Sequence, residues 1–155
     1  MTDDELAQHW LACAREPRIA AAIDGLHAMI ADQVEARGPA CWASGRCCHF
    51  EKTGHRLYVT GLEAALCIAR LARPLNAESL RAAIVEGNCP FQFANTCSVH
   101  TVRPSGCRVY FCDRSAQDWQ HELSERLAAE IRALHQRENI EYRYAEWRGL
   151  LGLFV

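Results

Sequence analysis

The placement of cysteine constrains this chain more than any other feature. Seven of its nine cysteines fall in two segments: CWASGRCC, with Cys41, Cys47 and Cys48, and CPFQFANTCSVHTVRPSGCRVYFC, with Cys89, Cys97, Cys107 and Cys112. About forty residues separate the two groups. The N-terminal MTDDELAQHW is acidic and lacks the basic stretch and long apolar core of a secretory signal. A cytoplasmic location is therefore expected, where thiols stay reduced. An odd number of cysteines also argues against a closed disulfide framework. Thiolates gathered in this way are expected to ligate a metal, and four suffice for Zn²⁺ or an iron–sulfur cluster. Ligands drawn from both segments would close a long loop, which couples metal binding to folding.

The rest of the composition supplies a body for such a site. Half of the 155 residues are hydrophobic, enough to bury a core without disulfides, and the length fits a single domain over 1–155. A net charge of −2 offers no general surface for nucleic acid or an anionic membrane. No apolar run approaches the ~18 to 20 residues that span a bilayer. The partners expected are a metal centre and a protein, with neither nucleic acid nor membrane.

Helical spacing dominates outside the cysteine segments. Residues 3 to 14 and 18 to 37 read as helices, the second carrying Ile19, Ile23, Leu26, Ile30 and Val34 before Gly38-Pro39 stops it. A loop over 38 to 56 follows, then LYVT at 57 to 60 as a short extended segment. Thr60 and Glu63 form a capping box for a helix to about Leu71, and Asn76 caps another over 77 to 86 that Gly87 closes. From 88 to 114 the chain turns irregular. Ser115, with Asp118 three residues on, starts a long helix striped by Trp119, Leu123, Leu127, Ile131 and Leu134. Asn139 breaks it before a last helix carrying Ile140, Tyr144, Trp147 and Leu151, which docks on its own core or on a second copy. The fold expected is mainly α: a small helical domain with two irregular cysteine-rich loops forming a metal site. The metal-binding core covers about 41–112 and the C-terminal helices about 115–152.

The spacing excludes paired C-x-x-C knuckles, the C₂H₂ finger pattern and both common ferredoxin patterns. Cys89, Cys97 and Cys107, with Cys47 or Cys48, are the leading ligands; Cys41 and Cys112 are open. Adjacent side chains diverge, so Cys47 and Cys48 do not both easily reach one ion. Cys67, in the apolar run ALCIARLA, reads as a core thiol, and Cys13 as structural or free. His49 and His100 are the histidines beside the cysteines, but enough thiols are present to make them unnecessary. His121 and His135 read as surface or satisfied polar groups. Cys48, His49 and Arg46 form a local candidate for thiol chemistry, but nothing supplies a third, orienting group, and no catalytic constellation is evident. No glycine-rich nucleotide motif occurs.

CWASGRCC, the capped helix after LYVT, CPF, and the run CSVHTVRPSGCR together resemble the YkgJ-like cysteine-cluster family, described as a zinc- or iron-chelating domain with a CxxCxxCC motif. The resemblance covers roughly 41 to 112 and is most specific at Cys47-Cys48 and at Arg103 to Arg108. Ser44 stands where the family has its second cysteine. The resemblance also implies a supporting role for Arg103 and Arg108 around an anionic centre. An iron–sulfur cluster serving redox, sensing or partner-dependent chemistry is the function expected; the alternative is a structural Zn²⁺ module mediating protein interaction.

Overall fold

Side-chain caps set where α1 (Asp3–Arg15) and three later helices begin. In a computed structural model that describes residues 1–38, 48–54, 56–111 and 113–155, α1 spans Asp3–Arg15 and is opened by a capping box. Thr2 N–H donates to Glu5 Oε2 at 2.7 Å, and Glu5 N–H donates to Thr2 Oγ1 at 3.2 Å. α2, Pro17–Arg37, carries proline in its first turn and ends on Gly38 at φ 61°. α3 is a single turn, Phe50–Thr53, inside the first cysteine loop. β1, Tyr58–Thr60, runs into α4, Gly61–Ala69, through the expected Thr60–Glu63 capping box. Asn76 caps α5, Ala77–Glu86, and Gly87 ends it at φ 77°.

The second cysteine segment is less irregular than its composition suggests. β2, Gln92–Phe93, pairs antiparallel with β3, Thr96–Cys97. Ala94 and Asn95 between them both take positive φ, the two-residue turn whose twist suits a hairpin. α6, Ser105–Val109, follows Pro104. Asp113 then caps a 3₁₀ turn over Arg114–Ala116, accepting from Ser115 N–H at 3.0 Å and Ser115 Oγ at 2.6 Å. Ser115 is therefore capped rather than capping, and α7 begins two residues later, at Gln117, running to Arg137.

The predicted last helix is corrected. Asn139 at φ 53° ends the helical path as expected, but Tyr144–Glu146 form strand β4, paired antiparallel with β1 in the register Tyr58↔Glu146. Only Trp147–Leu151 is helical (α8), followed by a 3₁₀ turn over Gly152–Phe154. Tertiary hydrogen bonds override the local spacing here: Gly61 N–H reaches Arg143 C=O at 3.0 Å, and Trp147 N–H reaches Leu57 C=O at 2.8 Å. Trp147, Leu150 and Leu151 are buried against the chain's own core, which settles where this segment docks.

α1 and α4 pack face to face, with Trp10 fully buried between them. The main core joins them to α8, α3 and the second cysteine segment. A smaller cluster of Ile30, Val109, Leu123 and Leu127 joins α2, α6 and α7. Among the described residues, no helix is long and apolar enough to cross a membrane.

Gly61 lets the Trp10 ring lie on the start of α4, because a Cβ there would overlap the indole. Gly61→Ala is expected to lower stability by about 1–3 kcal/mol through overpacking, read as a fall in the calorimetric unfolding midpoint. Gly149→Ala is the control, since its Cβ meets nothing within 4 Å.

Candidate functional site

The two cysteine loops are stitched together along one seam. Cys89 N–H donates to Cys48 C=O at 2.8 Å, and Glu51 N–H donates to Gly87 C=O at 3.1 Å. His49 bridges the same seam: Nδ1 lies 2.9 Å from Asn88 Oδ1, and Nε2 lies 2.7 Å from Asn95 Oδ1 and 3.2 Å from Gln92 Nε2. Both ring nitrogens are thus occupied by amides, which speaks against His49 as a ligand. Arg148 clamps the seam from α8. It is 5% exposed, lies over the Phe50 ring at 4.9 Å, and pairs with Glu146 at 2.8 Å and Glu51 at 3.3 Å. A guanidinium buried to this degree is tolerated because both carboxylates and the ring compensate for lost water.

Cys48 and Cys89 are buried in the main core, and the half-buried Cys97 and Cys107 pack against it. Cys89 Sγ accepts a hydrogen bond from the Trp147 indole N–H at 3.3 Å, and the Phe91 and Trp147 rings lie 6.0 Å apart. Trp147 is therefore part of the cysteine environment. Its sequence signal was only the helical spacing of an aromatic residue, which pointed to the core.

Cys67 belongs to the same core and is 1% exposed, as a core thiol should be. Its position is nonetheless not neutral toward the site. Burial pushes its thiol up to about 12, neighbouring Cys97 adds to the rise, and Arg108 opposes it. Cys13, on α1, lies instead against His9, with its sulfur 3.9 Å from Nε2.

Arg108 shares α6 with Cys107, and Arg103 lies just before that helix. Arg108 Nε donates to Arg103 C=O at 2.8 Å, and its Nη2 donates to Thr101 C=O at 3.0 Å. Arg103 donates to His100 C=O and approaches His100 Nδ1 at 3.1 Å. These two side chains hold the loop before α6 in shape. Their charge is felt nearby: His100 is depressed by burial first, and then by Arg103 and Arg108. His27, on α2, is held down to about 4 by burial, with Arg108 next in effect. Asp24 and Arg70 form a bidentate pair, at 2.7 and 2.8 Å.

Cys41, Cys47 and Cys112 lie outside the described residues. Among the described residues, no three His, Cys, Asp or Glu side chains are grouped so as to hold a metal ion. What the described part supplies is the donor type: thiols from both segments on one core, arginines nearby, and an indole N–H on one sulfur. That chemistry suits a thiophilic centre. His121 is exposed, the first of the two expected alternatives; His135 takes the second in part, being 2% exposed with Nδ1 on Ile131 C=O at 2.8 Å, while its Nε2 has no partner among the described residues.

His27 generates a pH dependence of stability. The unfolded chain protonates it near 6.5 and the folded chain only near 4, so the unfolded state binds more protons between those values. The contribution is complete above pH 6.5 and is lost as pH falls towards 4. His135, also depressed by burial, acts in the same direction. The chemical-denaturation midpoint is expected to fall over this window, and His27→Gln should shrink that fall.

No family model, curated protein or solved structure matches the chain.

Proposed function

We propose that this protein holds an iron–sulfur cluster on cysteine thiolates drawn from both cysteine segments, for redox, sensing or partner-dependent chemistry. The supporting observation is the seam itself: the Cys89 N–H to Cys48 C=O bond ties the two segments together beside two of the proposed ligands. Cys47 or Cys48, with Cys89, Cys97 and Cys107, would hold the cluster, and Cys41 and Cys112 complete the set of candidates. Arg103 and Arg108 would offset the negative charge that four thiolates leave on such a centre. The Trp147 N–H on Cys89 Sγ is a donor of the kind that tunes a ligating thiolate. The resemblance of the RPSGCR run to the YkgJ-like family supports the same reading.

The stitched seam also favours a second reading. A site whose task is to fasten two loops requires no redox chemistry, and closed Zn²⁺ coordination would make it a structural staple presenting a surface to another protein.

Anaerobic purification with metal analysis, visible absorption and EPR separates the two. Iron with sulfide, and a visible band that bleaches on reduction, is the expected result. Colourless protein with stoichiometric zinc would replace the first reading with the second, and metal-free folded protein would overturn both. Cys89→Ser and Cys107→Ser should each lose most of the bound metal, whereas Cys13→Ser should retain it.

A further inference from the structure

A cavity with its own polar chemistry lies away from the cysteine seam, between α6, α7 and the β1–β4 ribbon. It measures about 90 Å³ and no cysteine lines it. That is well above the roughly 15 Å³ needed to admit one water, so a small organic group can enter. Val109, Leu127 and Ile131 make its apolar wall.

Three buried polar residues line it: Thr60, whose hydroxyl is used on Glu63, with Glu63 and Ser105. Ser105 is 5% exposed, and its Oγ has no hydrogen-bond partner among the described residues. A buried hydroxyl left in this way costs free energy unless something else satisfies it. Glu63 is 4% exposed. Its Oε2 accepts from Thr60 N–H and Oγ1 at 3.1 and 2.9 Å, and among the described residues its Oε1 accepts only from Ser105 N–H at 3.2 Å. Three donors on a carboxylate with about four lone-pair sites leave Oε1 able to accept one more. No ion pair to Glu63 occurs among the described residues.

The mouth is aromatic. Tyr58, Tyr142 and Tyr144 are the exposed lining residues, and the rings of Tyr58 and Tyr144 lie 6.0 Å apart. The Tyr144 hydroxyl is pushed up by burial and then by Glu63, so the carboxylate is felt at the mouth. No lysine, arginine or histidine lines the space. Arg132 approaches from outside, 5.5 Å from the Tyr142 centroid, and occupies that ring's attraction for a cation. Tyr58 and Tyr144 carry no such partner among the described residues.

We propose that this cavity binds a small alkylammonium cation, with Glu63 and Ser105 as its polar floor and the faces of Tyr58 and Tyr144 at its mouth. A buried carboxylate with an acceptor site to spare, a hydroxyl without a partner and electron-rich ring faces all favour a compact cation with an apolar body. An anion would meet Glu63, whereas a cation would take the acceptor site that its three donors leave open. The proposal is independent of the metal site.

Titration of the full chain with tetramethylammonium and with n-propylammonium, followed by NMR of the tyrosine rings and by calorimetry, tests it. Tert-butanol serves as a neutral probe of similar shape, acetate as the anion, and ionic strength is held constant. Saturable binding of the cations is expected, with a Kd of about 0.1–10 mM. Glu63→Gln should weaken it by about tenfold or more, and Tyr144→Leu by about threefold. Because Glu63 also caps α4, the exposed Tyr144→Leu and Tyr58→Leu variants carry the test if Glu63→Gln does not fold. Tert-butanol binding as tightly as tetramethylammonium, or ring signals that shift without saturation, would overturn the proposal.

Discussion

The Trp147 residue is the joint on which the arrangement depends. Its backbone N–H closes the β1–β4 ribbon on Leu57, its ring packs with Phe91, and its indole N–H reaches Cys89 Sγ. One residue thereby ties the C-terminal strand to the middle of the chain and to the second cysteine segment. At 1% exposure, its ring brings a large apolar area to the core, and the one polar atom on that ring is spent on a sulfur rather than lost. Arg148, the next residue, secures the first cysteine loop through Glu51 and Phe50. The two loops are thus held from one short helix, α8, as well as by each other.

The parts of this fold that could be read from the sequence are those specified within a few residues. Thr60 with Glu63, and Asn76 with Ser79, announce their helices because donor and acceptor are three positions apart. Gly38 and Gly87 announce the ends because a left-handed residue is a local requirement. Residues 140 to 146 defeated the same reasoning. Ile140, Tyr144 and Trp147 have helical spacing, yet the partner that makes Tyr144–Glu146 a strand lies far away in the sequence. Ser115 was misjudged for a smaller reason: Asp113, two residues earlier, supplies the better acceptor. The site shows the same division. The thiol-bearing loops were visible as composition, and the participation of Trp147 and the closeness of Cys67 to Cys97 were not, because both depend on packing between distant elements.

Charge is distributed with some economy around these features. Arg103 and Arg108 lie close to Cys107 in the chain, where they hold loop carbonyls and add to the depression that burial imposes on His27 and His100. Glu63 lines the cavity beside α6, whose lining holds three tyrosines and no arginine. α6 is only five residues long, yet it carries Cys107 and, two positions earlier, Ser105. Such a short segment has little freedom to move one of these residues without the other, so the two regions share a mechanical support while differing in electrostatic character.

The register Tyr58↔Glu146 joins residues separated by about ninety positions. While the chain is being made, α1 and α4 can meet early, but β1 must wait with an unpaired edge until Tyr144–Glu146 have been synthesised. Contacts of such long sequence separation cost loop-closure entropy before they return any packing energy. The ribbon is therefore a late step in acquiring the structure, and through Trp147 the environment of Cys89 is completed in that same step. The growing chain carries its thiols for some time before the indole that helps enclose them exists, an interval in which Cys89 would be most open to solvent.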